Sequence, residues 1–124
     1  MRSANVAGSN TGDMFAAIDA KDGAAFVAYL TEDAIFRFGS APPVQGRSSI
    51  QAAVEGFFTT IAGCRHTIFQ SLRQGDTLVC EGEVAYQRHD GREVILPFTD
   101  VLEHSGDLIS QYKIYIDISP LYAE

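Results

Sequence analysis

Three ionisable side chains have neighbours that suit them to chemistry. Asp100 lies in the run Phe98-Thr-Asp-Val-Leu102, so strand alternation places it between Phe98 and Leu102 on one face. A carboxyl group in that setting is desolvated. Its pKa rises, and it becomes a hydrogen-bond donor or a general acid–base group. Asp117 follows Lys113 and Tyr115 at a spacing of two near the chain end, a second candidate base, with the plainer alternative of capping the Ser119-Pro120 turn. His66 alternates with Ile68 and Gln70 and would pair with a carboxylate as a proton shuttle, or serve as a hydrogen-bonded structural group. His89 and His104 adjoin turns and read as solvent-exposed.

Other chemistries lack their residues. The sequence shows no glycine-rich phosphate loop, no serine or cysteine triad and no Cys/His spacing for a metal, so neither metal nor cofactor is expected. Cys64 and Cys80 read as small core hydrophobes. The 16 acidic residues outnumber the 9 basic ones for a net charge of −7, which argues against a phosphate-neutralising nucleic-acid binder. The longest apolar run, Ala24 to Leu30, is far too short to span a membrane. Residues 1–12 carry no apolar stretch of the signal-peptide kind and read as a flexible leader, with a cytoplasmic location as the default. At 124 residues, 46% hydrophobic, the rest (13–124) is expected to be one globular domain.

The elements that must position these groups follow in order. Asp13 is placed to cap a helix carrying Met14, Phe15 and Ile18, and Asp22-Gly23 to open a second short helix. A strand covers Ala34–Phe38. Ser48 and Gln51 form a capping-box pattern before a helix with Ile50, Val54, Phe57, Phe58 and Ile61 on one side, ending at Gly63. Strands follow at about 66–73, 77–88, 93–103 and 108–118, separated by Gln74-Gly75-Asp76, Asp90-Gly91 and Ser105-Gly106. Helices first and an antiparallel meander afterwards make an α+β chain.

Reading Asp90-Gly91 and Ser105-Gly106 as two-residue turns sets the strand register. Arg88 then faces Glu93, Glu81 faces Asp100, and Asp100 faces Gln111. One sheet face holds Glu81, Glu83, Ala85, Gln87, Val94, Leu96, Phe98, Asp100, Gln111, Lys113, Tyr115 and Asp117. The other is apolar, with Tyr86, Val101, Ile114 and Ile116 among its members. Either the mixed face is solvated and the helices cover the apolar one, or the helices arch over the mixed face and a second subunit buries the apolar one.

Several stretches carry a family resemblance. Two short helices lead into Leu30-Thr-Glu-Asp-Ala-Ile-Phe36, Gly46-Arg-Ser-Ser-Ile50 starts a helix, and the meander ends in Tyr115-Ile-Asp-Ile-Ser-Pro-Leu121. Over residues 13–122 this resembles the SnoaL-like branch of the nuclear transport factor 2-like superfamily, which also contains ketosteroid isomerases, limonene epoxide hydrolases and polyketide cyclases. The resemblance implies a cone-shaped, curved antiparallel or mixed sheet with about three N-terminal helices covering its concave face. It selects the mixed face as a pocket and the apolar face, through Val101, Ile114, Ile116 and Tyr86, as a homodimer interface.

The resemblance also sorts the site residues. Asp100 matches the oxyanion aspartic acid of the isomerases and Tyr115 a pocket aromatic. Their general base falls on Phe38 and their oxyanion tyrosine on Met14, so steroid isomerisation is not expected. The epoxide hydrolase Arg-x-Asp pair falls on Glu83 and Ala85, and that activity is not expected either. The final-strand aspartate of the hydrolases and cyclases is matched by Asp117. The resemblance therefore implies a small-molecule pocket protein, read as a cofactor-free isomerase or cyclase moving a proton on a hydrophobic carbonyl compound. Asp117 would be the base, and His66, Asp100 or Tyr115 would polarise an oxygen. Phe36, Phe38, Phe98, Leu96, Glu83, Lys113 and Met14 would line the substrate site. The alternative is a non-catalytic ligand-binding or dimerisation module on the same cone. Asp100 and Asp117 are not expected to act as a dyad, because six strand residues separate Gln111 from Asp117, roughly 20 Å.

Overall fold

The computed structural model describes the backbone of residues 2–124 and the side chains from residue 11 onward. Helices α1 (Arg2–Asp19) and α2 (Gly23–Val27) precede strand β1 (Leu30–Phe38) and the two-residue strand β2 (Val44–Gln45). Helix α3 (Arg47–Phe58) leads into β3 (Gly63–Gln74), β4 (Thr77–Gln87), β5 (Glu93–Ser105) and β6 (Leu108–Tyr115), and a 3-10 turn at Ser119–Tyr122 closes the chain. The six strands form one mixed sheet in the order β2-β1-β6-β5-β4-β3. Only the β1–β6 pairing is parallel. The expected α+β class with helices first is what the chain adopts.

Element ends differ from expectation where a local signal was misassigned. Asp13 lies inside α1 instead of capping it, and segment 2–12, expected as a leader, is helical. Asp22 does cap α2, its carboxylate accepting from the Ala25 N–H at 3.0 Å. The Ser48–Gln51 capping box does not form. Gly46, at φ 94°, is the N-cap of α3, and Gln51 donates instead to Glu55 Oε2 at 2.9 Å, one turn on. Helix α3 stops at Phe58, and Gly63 begins a strand instead of ending a helix. Lys21, in the left-handed region at φ 58°, ends the α1 turn and donates from Nζ to the Ile61 carbonyl at 2.9 Å. That bond ties the first helix pair to the exit of α3.

The larger correction is the sheet register. Gln87 pairs with Glu93, and residues 89–91 form a three-residue loop with Gly91 at φ 91°. The physical reason is visible in the turn. Arg88 stands opposite Arg92, and the Asp90 carboxylate neutralises both, at 3.0 and 2.9 Å from their Nη2 atoms. The expected Arg88–Glu93 pairing is therefore not made. At the next turn Ser105 pairs with Leu108, one residue later than expected, and a bulge between Glu103 and His104 shifts the ladder again. Cys80 thus faces Asp100, and Asp100 faces Ile114.

A register slip of one residue turns every side chain of a strand to the other face. The even-numbered residues of β4, β5 and β6 consequently share the helix-covered side: Cys80, Val84 and Tyr86 with Leu96, Phe98, Asp100 and Leu102, and Tyr112 with Ile114. Met14, Phe26, Leu30, Ile50, Ile61, Leu102 and Tyr112 are fully enclosed between helices and sheet. Each such side chain contributes about 1.5–3 kcal/mol through removal from water. Close sheet packing also needs Gly82, because a Cβ there would sit 2.0 Å from the Thr67 carbonyl oxygen, beside the β3 bulge at Ile68/Gln70.

Candidate functional site

The helices do not fill the concave side of the sheet. A cavity of about 220 Å³ remains between Ile18 of α1, Phe26 of α2, Val54, Phe57 and Phe58 of α3, and the inner sheet face. It exceeds the ~150 Å³ that accommodates a benzene ring in an engineered protein core. Phe36, Phe38 and Phe98 line it, as expected from their alternation. The polar groups on its wall are His66, Asp100, Tyr86 and Tyr112, with the Cys64 thiol.

Asp100 is the one buried charged residue among the described residues, at 2% exposure. Strand β5 points it inward and β6 supplies its partner. The Tyr112 hydroxyl donates to Asp100 Oδ2 at 3.1 Å, while Oδ1 has no hydrogen-bond partner. Burial pushes the carboxyl up to about 8, only partly offset by the Tyr112 bond. At neutral pH the carboxyl is therefore mostly protonated. With Oδ2 accepting from tyrosine, the proton belongs on Oδ1 and is available to an acceptor in the cavity. Glu81, expected opposite Asp100, pairs instead with Thr99 and is exposed and bonded to Gln70, so it adds no like charge beside the buried carboxyl.

His66 comes from β3, two residues beyond Cys64, and is clamped from the end of α1. Asp19 Oδ1 lies 2.6 Å from His66 Nδ1, and both carboxylate oxygens accept from the His66 backbone N–H, at 3.2 and 3.0 Å. An ionised carboxylate accepts only, so Nδ1 carries a proton and, in the neutral imidazole, the lone pair is on Nε2. Phe15 and Phe98 flank the imidazole with ring centroids 5.1 and 5.3 Å away. Cys64 Sγ has only long acceptors, the Ile18 carbonyl at 3.5 Å and Asp19 Oδ1 at 3.9 Å. Burial, then the Asp19 charge, pushes its thiol up to about 12, so it is no nucleophile. Burial also raises Tyr86 well above the usual tyrosine range, so its hydroxyl stays protonated.

Several predicted site residues lie elsewhere because β4 and β6 are turned over relative to the expected register. Asp117 is surface-bound beyond the end of β6. Its Oδ1 accepts from the Ser119 N–H at 3.0 Å and the Ser119 hydroxyl at 2.8 Å, which holds its carboxyl below the usual range. That is the turn-capping role. Tyr115 is 58% exposed, and Glu83 is exposed on the outer face. Lys113 pairs with Val101 on the outer face. Met14 and Leu96 are core residues that do not border the cavity. Conversely, Tyr86, Ile114 and Ile116, expected at an outer interface, line the cavity, while Val101 does face outward.

Asp19, Tyr112 and the Cys64 side chain were missed as site groups. Tyr112 was lost to the register. Asp19 did carry a signal: an acid in the last turn of a helix opposes the helix dipole and calls for a compensating partner. No metal-type grouping was expected, yet Asp19, Cys64 and His66 bring their ligand atoms within 4.8 Å of one another. No helix among the described residues is long and apolar enough to cross a membrane.

Comparison with known proteins agrees with this architecture. A family model for the SnoaL-like domain matches residues 12–112. The fold is similar to that of an NTF2-like protein of unknown function from Burkholderia pseudomallei, with TM-score 0.83, 16% identity and 93% of each chain covered. It is similar to a hypothetical protein with ketosteroid isomerase-like fold from Catenulispora acidiphila in complex with trimethylamine, with TM-score 0.78, 19% identity, and 85% of this chain and 82% of that one covered. It is also similar to an LEH-like epoxide hydrolase of M. tuberculosis, with TM-score 0.73, 16% identity, and 86% and 78% covered. No curated protein matches the chain.

Proposed function

The chain belongs to the SnoaL-like domain family, and on that premise we propose that its cavity binds a small hydrophobic carbonyl compound and moves a proton on it. The observation that carries this reading is Asp100: a buried carboxyl, held protonated, with one oxygen unpartnered, on the wall of a mostly apolar cavity. Such a group is a hydrogen-bond donor for an oxygen that gains negative charge. His66, with Nδ1 fixed by Asp19, supplies the base at Nε2. It takes a proton from the carbon next to the carbonyl, Asp100 stabilises the enolate oxygen, and the imidazolium returns the proton at another carbon. The reaction is an isomerisation, or a cyclisation where the enolate carbon attacks within the ligand. No cofactor enters the scheme.

This reading moves the base from Asp117 to His66, since Asp117 is engaged at the surface turn. It excludes Tyr115 as the polarising group on the same ground of exposure. The test is a panel of lipophilic ketones and enones, followed by thermal shift and by solvent deuterium uptake at the α-carbon. The wild type should bind and exchange, His66→Gln should bind without exchange, and Asp100→Leu should lose both. Binding with no exchange by the wild type would leave a non-catalytic ligand-binding module, and no binding at all would overturn the pocket reading.

A further inference from the structure

The end of α1 and the start of β3 place the Cys64 thiol, which proton transfer does not need, beside the Asp19–His66 pair. Asp19, Cys64 and His66 offer a carboxylate oxygen, a sulfur and a ring nitrogen, all within 4.8 Å. Their positions are set by backbone. Cys64 and His66 are two apart on β3 and share its inner face, and the Asp19 carboxylate is anchored on the His66 N–H. Both β3 side chains border the cavity. The Cys64 thiol makes only the two long contacts already described, so packing alone gives it no strong partner.

We propose that Asp19, Cys64 and His66 bind one divalent cation of the zinc class, with the fourth coordination position open to the cavity. A mixed O, N, S donor set suits zinc and cobalt, whereas magnesium and calcium take oxygen ligands. Three protein ligands with one open position is the arrangement of reactive zinc sites, not of purely structural ones. The geometry is near. Ligand atoms about 2.0–2.3 Å from a tetrahedral zinc stand roughly 3.3–3.7 Å apart. The Asp19–His66 contact of 2.6 Å must open and the widest separation of the set, up to 4.8 Å, must close, each by about 1 Å of side-chain movement.

The exchange balances. The cation takes the Nδ1 lone pair, the imidazole proton moves to Nε2, and the thiol proton leaves to solvent. One carboxylate and one thiolate then neutralise the two positive charges. Lys21, whose charge also reaches Cys64 and favours its thiolate, is already engaged by the carbonyl oxygens of Phe58 and Ile61. The site does not rest on the proposed reaction. The two are alternative states of the same residues, because a cation on His66 removes the base.

The experiment is a titration of the reduced, metal-free full chain with Co²⁺, read by absorption. The expected result is a thiolate-to-cobalt charge-transfer band that saturates at one equivalent and is bleached by Zn²⁺. Cys64→Ser should abolish the band and Cys80→Ser should retain it. Asp19→Asn should weaken Co²⁺ binding at least about tenfold. Asp19 sits at the partly exposed end of α1, so this variant keeps the test decisive should Cys64→Ser fail to fold. Absence of a saturable sulfur band in the wild type, an undiminished band in Cys64→Ser, or unchanged Co²⁺ affinity in Asp19→Asn would each overturn the site. None of these readouts involves turnover, so they are independent of the proposed proton transfer.

Discussion

Tyr112 and Asp100 are diagonal neighbours on the inner face of β5 and β6, and the tyrosine hydroxyl is the only hydrogen-bond donor the described residues offer to the buried carboxyl, at 3.1 Å. The pair exists because of the Glu103/His104 bulge. With the ladder continued from Ser105–Leu108 without a bulge, β6 would turn Tyr112 away from Asp100.

Asp100 makes stability depend on pH in an unusual direction. Its carboxyl titrates near 3.8 when unperturbed and at about 8 in the folded chain. Between those values the folded protein holds a proton that the unfolded chain has released, so stability falls as pH rises through that window. Asp90, held at about 2, and Asp117, also lowered, act in the opposite sense but in acid, below the unperturbed carboxylate range. From pH 5 to 9 the Asp100 contribution therefore stands alone among these three. The wild-type Tm should fall relative to that of Asp100→Asn as pH rises through this range, since the opposing contribution of His104, lowered by burial, is common to both proteins. Parallel curves for the two proteins would refute the assignment.

Tyr112→Phe removes the one bond that favours ionised Asp100. The carboxyl should then titrate still higher, and the downward limb of the Tm–pH curve should extend to higher pH. A buried acceptor left without its donor costs about 1–3 kcal/mol, measurable by urea unfolding at pH 6. An unchanged midpoint and an unchanged pH profile together would show that the bond does not form in solution.

The order and type of the elements were legible because each depended on local signals: periodicity over Ile50–Phe58, the Asp22 cap, and glycines at positive φ between the strands. The faces were not legible, because they depended on whether a turn holds two residues or three. Asp90-Gly91 reads as a two-residue hairpin signal, but Asp90 bridging two arginines stabilises the longer loop. Asp100, Phe98 and Leu96 kept their common face, since that rested on alternation within β5 alone, and the family resemblance had put that face under the helices. Glu83, Lys113, Tyr115 and Asp117 were lost with the cross-strand register. His66 was legible as a residue wanting a carboxylate, but Asp19, 47 positions away, was not.

Two glycines should respond oppositely to alanine. At Gly82 the new Cβ would meet the Thr67 carbonyl oxygen at 2.0 Å, backbone that cannot yield without moving β3. The loss should exceed about 2 kcal/mol, as for other overpacked sites. At Gly56, inside α3, nothing lies within 4 Å of the added carbon, and alanine should stabilise by roughly 0.5–1 kcal/mol. Denaturant midpoints of the two variants check both signs, and a tolerated Gly82→Ala would mean that the bulge at Ile68/Gln70 is not as tight as described.

A homodimer through the outer sheet face, as the family resemblance implies, would keep only Val101 of the four residues first expected. Tyr86, Ile114 and Ile116 line the cavity, so charge placed there would damage the pocket and reveal nothing of an interface. The outward positions are Ile95, 53% exposed, Tyr115, 58% exposed, and Val101, with Leu72 on the neighbouring hairpin. Ile95 and Tyr115 each leave a large side chain in water, at a cost that a second copy of the chain would relieve. Ile95→Asp should therefore convert a dimer to monomer in sedimentation velocity while leaving the far-ultraviolet dichroism spectrum and ligand-dependent thermal shift unchanged. Ile116→Asp should do the reverse, weakening ligand binding without changing the sedimentation coefficient. A wild type that sediments as a monomer, or an Ile95→Asp variant that remains dimeric, would remove the outer sheet face as the interface. Because Ile95 faces outward from β5 while Ile116, just past the end of β6, borders the cavity, their opposite effects also test which side of the sheet faces the helices.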